Sequence, residues 1–281
     1  MTKVSLKAQL ITFLLITFLI SWIEVYFIAK AEAGIKDNAR VFALMWTPGL
    51  VGLVLSWVFG WRFKDIGFKL GKWRYYLWAY LVPAVTAVLI LIALITTGLG
   101  EFQLSPKLLE KAGSTPKALM LVLLVSPVLG ALIGSVSAFG EEIGWRGFLH
   151  SKMIALNLPH PFLLTGFIWA VWHWPLILFS NYATSDQPAL SVALFTVTVT
   201  SFGVFIGWLR EKSGTVFPAA LTHGVHNLWI QMIYPTFLKP GALDPYFGGE
   251  SGVIIAVIYG VLALVIYKKY LAKGRLKPLQ I

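Results

Sequence analysis

The stretch from Ala138 to His150 reads A-F-G-E-E-I-G-W-R-G-F-L-H, and it closes an apolar run that begins near Ala118. Two adjacent carboxylates, Glu141 and Glu142, follow directly on a segment of the roughly 20 residues that a bilayer-spanning helix needs. An ionised carboxylate at membrane depth costs about 2.5–3.5 kcal/mol even on lenient insertion scales, so such residues mark functional sites. If both point into one protected site, repulsion and poor solvation disfavour ionising them together. Neighbours on a helix lie about 100° apart, so the pair need not face one partner. Arg146 stands four residues after Glu142, the spacing at which an acid and a base meet on one helical face. The simplest division of labour has Glu142 held by Arg146 and Glu141 free to act. The competing reading is a solvated helix end with ordinary charges.

Composition sets the class. The 281 residues are 58% hydrophobic and only 12% charged, with a mean hydropathy of +0.77. A soluble domain is typically about 25% charged, so this is a membrane protein. No polar linker or repeat divides the chain, and we read residues 1–281 as one polytopic membrane domain. The absence of cysteine excludes a disulfide, a thiol nucleophile and cysteine-ligated zinc. The net charge of +11 does not point to nucleic acid, because most of the basic residues sit in loops between apolar runs. The partner they imply is the lipid bilayer.

Eight apolar segments follow in order, at about 8–29, 41–59, 75–97, 118–139, 161–179, 190–209, 216–233 and 252–270. The first follows Lys3 and Lys7 and looks like a signal peptide, but its length suits a span. Glu24 lies near its outer end, where an interface would solvate it. Residues 61–74, W-R-F-K-D-I-G-F-K-L-G-K-W-R, interleave basic and aromatic side chains as an interfacial segment on an anionic leaflet would. Gly130 and Gly134 are spaced for close helix packing. With eight spans both termini share a side. Sixteen of the 23 lysines and arginines lie on that side, which predicts cytoplasmic termini. The expected fold is thus an all-α membrane bundle of about eight transmembrane helices. Its polar catalytic cavity is placed near the cytoplasmic side, where Glu141 and Glu142 end the fourth segment.

Other segments carry chemistry. W-A-V-W-H sets Trp169 four residues before His173, and H-G-V-H-N sets His223 four before Asn227. Each pair shares a helical face. A lone histidine in a span usually makes a helix–helix hydrogen bond, but three segments with catalytic-type groups can converge on one wet pocket. His226 adds either a supporting donor or packing, and His150 and His160 read as interfacial. Such a pocket activates water. A carboxylate takes a proton from water and returns it to a leaving amine, histidine orients the water, and asparagine with the other histidine faces the oxyanion. Alternatively, His173, His223 and Glu141 ligate Zn²⁺ with water in the fourth position, although no H-E-x-x-H occurs. Ser135 and Ser137 lack a G-x-S-x-G frame, and no aspartate falls within a span, so serine and paired-aspartate designs are not supported.

E-E-x-x-x-R at Glu141, Glu142 and Arg146, an aromatic-x-x-x-H at Trp169 and His173, and H-x-x-x-N at His223 and Asn227 occur in order. This set resembles the CPBP (CAAX protease and bacteriocin-processing, or Abi) family of intramembrane proteases. The motifs cover about 138–230, within a catalytic core of about 118–233. Trp169 departs from the phenylalanine common there, a change that should affect pocket shape more than chemistry. The resemblance implies a peptidase. In CAAX-processing members it removes the last three residues of a prenylated C-terminal peptide at the cytoplasmic face. It also implies that Glu141 and His173 activate water, that His223 and Asn227 hold the oxyanion, and that Glu142 and Arg146 support the site. The family has been described both as metal-dependent and as metal-independent glutamate proteases. Two further classes stand beside it. One is a proton-coupled transporter with Glu141, His173 and His223 as a relay, weakened by the lack of an internal repeat. The other is a non-catalytic scaffold or bacteriocin-immunity-type protein, which has no reason to bear the cost of these buried groups.

Overall fold

The computed structural model describes residues 4–180 and 182–271, without the side chains of 270 and 271. Lys3 and the tail cations Lys273, Arg275 and Lys277 lie outside the described residues. Every apolar segment is helical. The helices are α1 (Leu6–Lys30), α2 (Asn38–Val58), α3 (Arg74–Thr96), α4 (Thr115–Ala155), α5 (Pro161–Phe179), α6 (Pro188–Ser213), α7 (217–236) and α8 (Val253–Leu271). Among the described residues, α1 to α6 are long and apolar enough to cross a membrane. The chain is a multi-pass, all-α membrane protein. A two-stranded antiparallel ribbon, β1 (Gly100–Phe102) with β2 (Leu238–Pro240), ties the connection after α3 to the one after α7.

The main difference from the sequence reading is in α4. It does not stop near Phe139 but continues to Ala155, 41 residues in all. Two stretches are wound as π-helix, Leu121–Gly130 and Ile143–Leu149, and the second starts directly after Glu142. A π-helical turn inside an α-helix is rare and is often found at functional sites. Both carboxylates are therefore interior to a helix. Glu141 is 2% exposed and Glu142 is fully buried, which removes the reading of a solvated helix end.

Close packing holds α4 in place. α2 runs beside it through Gly49, Pro48 and Gly52, opposite Gly140, Gly144 and Phe148. A Cβ on Gly140 would lie 2.6 Å from the Trp46 Cα, so only glycine allows this approach next to Glu141. On its other side α4 meets α7, where Gly134 faces the backbone of Gly224. α5, α6 and α8 pack as a second group, with α6 in the middle.

The two ends of the bundle differ. One carries the start of α1, the 59–73 connection and the end of α8. Here Arg210 donates to the Ile66 carbonyl, and Phe68 packs on Phe139 and Phe217. Phe63, Leu70 and Trp73 of that connection stay exposed beside its basic residues. The other end carries the connections 31–37, 97–114, 180–187 and 237–252. Two side chains read as interfacial have partners inside the protein. Glu24 is half-buried and accepts from the Thr47 hydroxyl at 2.8 Å. His150 is not interfacial: it is fully buried, stacks on Phe162 and lies 3.3 Å from Glu211.

Candidate active site

Helix geometry brings the three motifs together. Arg146 reaches back one turn and donates to Glu142 Oε1 at 2.9 Å, with both side chains fully buried. His223, from α7, places Nδ1 2.9 Å from the same oxygen. An ionised carboxylate only accepts, so Nδ1 carries the hydrogen and Nε2 is left for the cavity. Glu142 thus joins two motifs 81 residues apart. The buried Arg146 charge has its counter-ion, as a charge at this depth requires.

Glu141 is held differently. The Trp169 indole N–H donates to Glu141 Oε2 at 2.6 Å. The indole ring lies under the Arg146 guanidinium at 4.3 Å and meets the His223 ring edge-on at 5.0 Å. Trp169, read from the sequence as shaping the pocket, also makes a hydrogen bond to Glu141 that phenylalanine could not make. His173 sits one turn after Trp169, and its Nδ1 donates to the Trp169 carbonyl at 2.9 Å. A carbonyl only accepts, so Nδ1 again carries the hydrogen and Nε2 is left to act as a base or ligand.

Glu141, His173, His223 and Asn227 line one cavity of about 90 Å³. Its apolar lining includes Val41, Leu44, Met45 and Leu176, and Ile35, Tyr182 and Gln231 line it too. Asn227 is half-buried. Ile35 and Tyr182 belong to the connections 31–37 and 180–187. The cavity therefore lies toward the end of the bundle opposite the basic connections. The sequence placed the carboxylates at the basic end because it ended α4 at Phe139.

The zinc reading needs three ligands at one point. Among the described residues no three His, Cys, Asp or Glu side chains are gathered closely enough to hold a metal ion. Glu141 already spends one oxygen on Trp169. As they stand, His173, His223 and Glu141 do not form a ligand set.

A second polar cluster adjoins the cavity. Glu250, just before α8, accepts from the Tyr182 hydroxyl at 2.6 Å, from His226 Nε2 at 3.1 Å and from Gln231 at 3.1 Å. Burial opposes its charge, yet the His226, Tyr182 and Gln231 bonds hold the Glu250 carboxyl down at about 2. Burial and the adjacent Glu250 charge hold the Tyr182 phenol well above its usual range, so it stays a donor. Sequence reading missed Tyr182 and Glu250 because both lie in connections, outside any helical spacing. The one signal was His226, three residues from His223.

Residues 122–229 match the family described as type II CAAX prenyl endopeptidase Rce1-like. Over 107 aligned residues the chain is 30% identical to the CAAX prenyl protease 2 of Methanococcus maripaludis. That alignment covers 36% of this chain and 39% of the relative's length. The matched segment contains Glu141, Glu142, Arg146, Trp169, His173, His223 and Asn227. It ends before Glu250.

Proposed function

We propose that this chain is an intramembrane endopeptidase that hydrolyses a peptide bond of a membrane-associated substrate, with 118–233 as its catalytic core. The observation that carries the reading is the buried Glu141 beside His173, His223 and Asn227 on one cavity. Glu141, steadied through Oε2 by Trp169, takes a proton from water, and His173 Nε2 orients that water. The hydroxide adds to the scissile carbonyl carbon. Asn227 donates its amide to the resulting oxyanion, and His223 adds a second donor when its ring is doubly protonated, with Glu142 as counter-ion. The C–N bond then breaks, and Glu141 returns its proton to the leaving amine. The apolar wall suits a lipidated or hydrophobic peptide. The Rce1-like match makes a prenylated C-terminal peptide the first substrate to try. The test is cleavage of a fluorogenic peptide of that type by the purified protein in detergent, with and without a zinc chelator. Chelator-sensitive cleavage restored by Zn²⁺ would show that the histidines and Glu141 regroup around a metal. Insensitive cleavage supports the glutamate route.

Trp169→Phe keeps a ring under Arg146 but removes the donor to Glu141. A hydrogen bond to a charged group contributes about 1.5–3 kcal/mol. Trp169→Phe is therefore expected to lower kcat by about tenfold or more. An unchanged kcat would return Trp169 to a shape role.

The charge asymmetry assigns both termini to the cytoplasm. The cavity then faces the opposite side, away from where CAAX processing occurs. Because the chain has no cysteine, single cysteines report sidedness without background. Leu70, 82% exposed, marks the basic end, and Glu101, with a 76% exposed side chain, marks the cavity end. With a membrane-impermeant maleimide, Glu101→Cys is expected to label in intact cells and Leu70→Cys only after lysis. The reverse pattern would put the cavity on the cytoplasmic side and the termini outside.

A further inference from the structure

Tyr182 borders both the catalytic cavity and a second chamber of about 10 Å³ behind it, about the room one water needs. That chamber is lined by His173, His223 and Asn227 together with Tyr182, His226 and Glu250. The Tyr182 ring lies nearly parallel to the His173 imidazole, 20° between planes with centroids 6.0 Å apart. Trp172 meets the same imidazole edge-on at 4.7 Å, and Phe195 closes it at 5.1 Å. These rings leave His173 little freedom to rotate about its Nδ1 bond to the Trp169 carbonyl. Of the three, Tyr182 alone comes from a connection rather than a helix, so something must hold it. Its hydroxyl is bonded to Glu250, and Glu250 is in turn fixed by His226 and Gln231 of α7. His226 is anchored through Nδ1 to the Tyr259 hydroxyl of α8 at 2.9 Å. A chain of hydrogen bonds thus runs from α8 through α7 to a ring on the candidate catalytic histidine.

We infer that Tyr182 and Glu250 are positioning residues: Glu250 anchors the Tyr182 hydroxyl so that the phenol ring holds the His173 imidazole against the catalytic cavity. Neither residue is assigned a contact with the reacting atoms. The inference rests on the peptidase reading for its kinetic consequence but not for its structural one, and the test separates the two. Tyr182→Phe keeps the ring and removes only the anchor, and Glu250→Gln replaces an oxygen acceptor by an amide. Misplacing a catalytic group by about 1 Å can cost 10²-fold. Both variants are expected to lose roughly 10–100-fold in kcat with KM little changed. Independently of activity, the rate at which diethyl pyrocarbonate modifies His173, read by mass spectrometry, is expected to rise several-fold in both. The exposed His160 serves as an internal control and should keep its rate. An unchanged His173 rate overturns the inference whatever the kinetics. A raised rate with unchanged kcat in an active enzyme overturns it too. If the wild type cleaves no peptide while the His173 rate still rises in both variants, the peptidase reading fails and the positioning pair stands.

Discussion

Glu141→Gln is expected to abolish measurable peptide cleavage while leaving the protein folded. The substitution keeps the size of the side chain and an oxygen to accept the Trp169 indole bond, so the packing around it is undisturbed. What it removes is the capacity to take a proton from water. General-base catalysis contributes typically 10²–10⁴-fold, and the loss in kcat should fall in that range. The pairing with Arg146 is not at stake, because Arg146 bonds Glu142. Thermal unfolding in detergent should therefore show a Tm close to that of the wild type. Cleavage at the wild-type rate would move the base to another group and end the glutamate assignment. A variant that loses both activity and Tm would show that Glu141 is structural first.

The largest stability effect is expected at its neighbour. Glu142→Ala leaves Arg146 fully buried with no carboxylate at Nη1 and strips His223 Nδ1 of its acceptor. Removing one partner of a buried ion pair typically costs about 3–5 kcal/mol, since the remaining charge stays desolvated. Glu142→Ala should thus lower Tm sharply or give aggregated protein on size exclusion. Removing both charges is predicted to be milder. Glu142→Ala combined with Arg146→Met leaves no unpaired buried charge, and Met restores apolar volume over the Trp169 ring. Its Tm should lie above that of Glu142→Ala alone, a non-additivity of the kind seen between residues in contact. A double variant less stable than the single one would mean that the Arg146–Trp169 contact, not the charge balance, dominates this layer.

The two substitutions act on adjacent residues but separate catalysis from folding, and the helix geometry is why. About 100° of rotation divides Glu141 from Glu142. One carboxylate points to α5 and the cavity, while the other turns into the α4–α7 seam.

Much of this was already legible along the chain. Apolar length marked eight segments as helical, because a bilayer requires backbone groups to be satisfied within each segment, and among the described residues six of them are long and apolar enough to cross. Local spacing gave the Arg146–Glu142 pair and the shared faces of Trp169 with His173 and of His223 with Asn227, since residues four apart must be neighbours on any helix. Those features depend only on helical periodicity. Three others could not be read from it. The continuation of α4 to Ala155 depends on Gly140 and Gly144 packing against α2, a contact about a hundred residues away in sequence whose strength no local pattern encodes. The Trp169–Glu141 bond joins residues 28 apart, and its donor counted as a ring until the indole nitrogen was placed. Tyr182 and Glu250 lie in connections 68 residues apart, where no periodicity marks a face, and only the packing of α7 and α8 brings them to His173. Apolar length and helical spacing set which groups the membrane must bury. The tertiary structure decided which of them meet and at which end of the bundle the cavity lies, because both depend on how the helices pack and not on how each one winds.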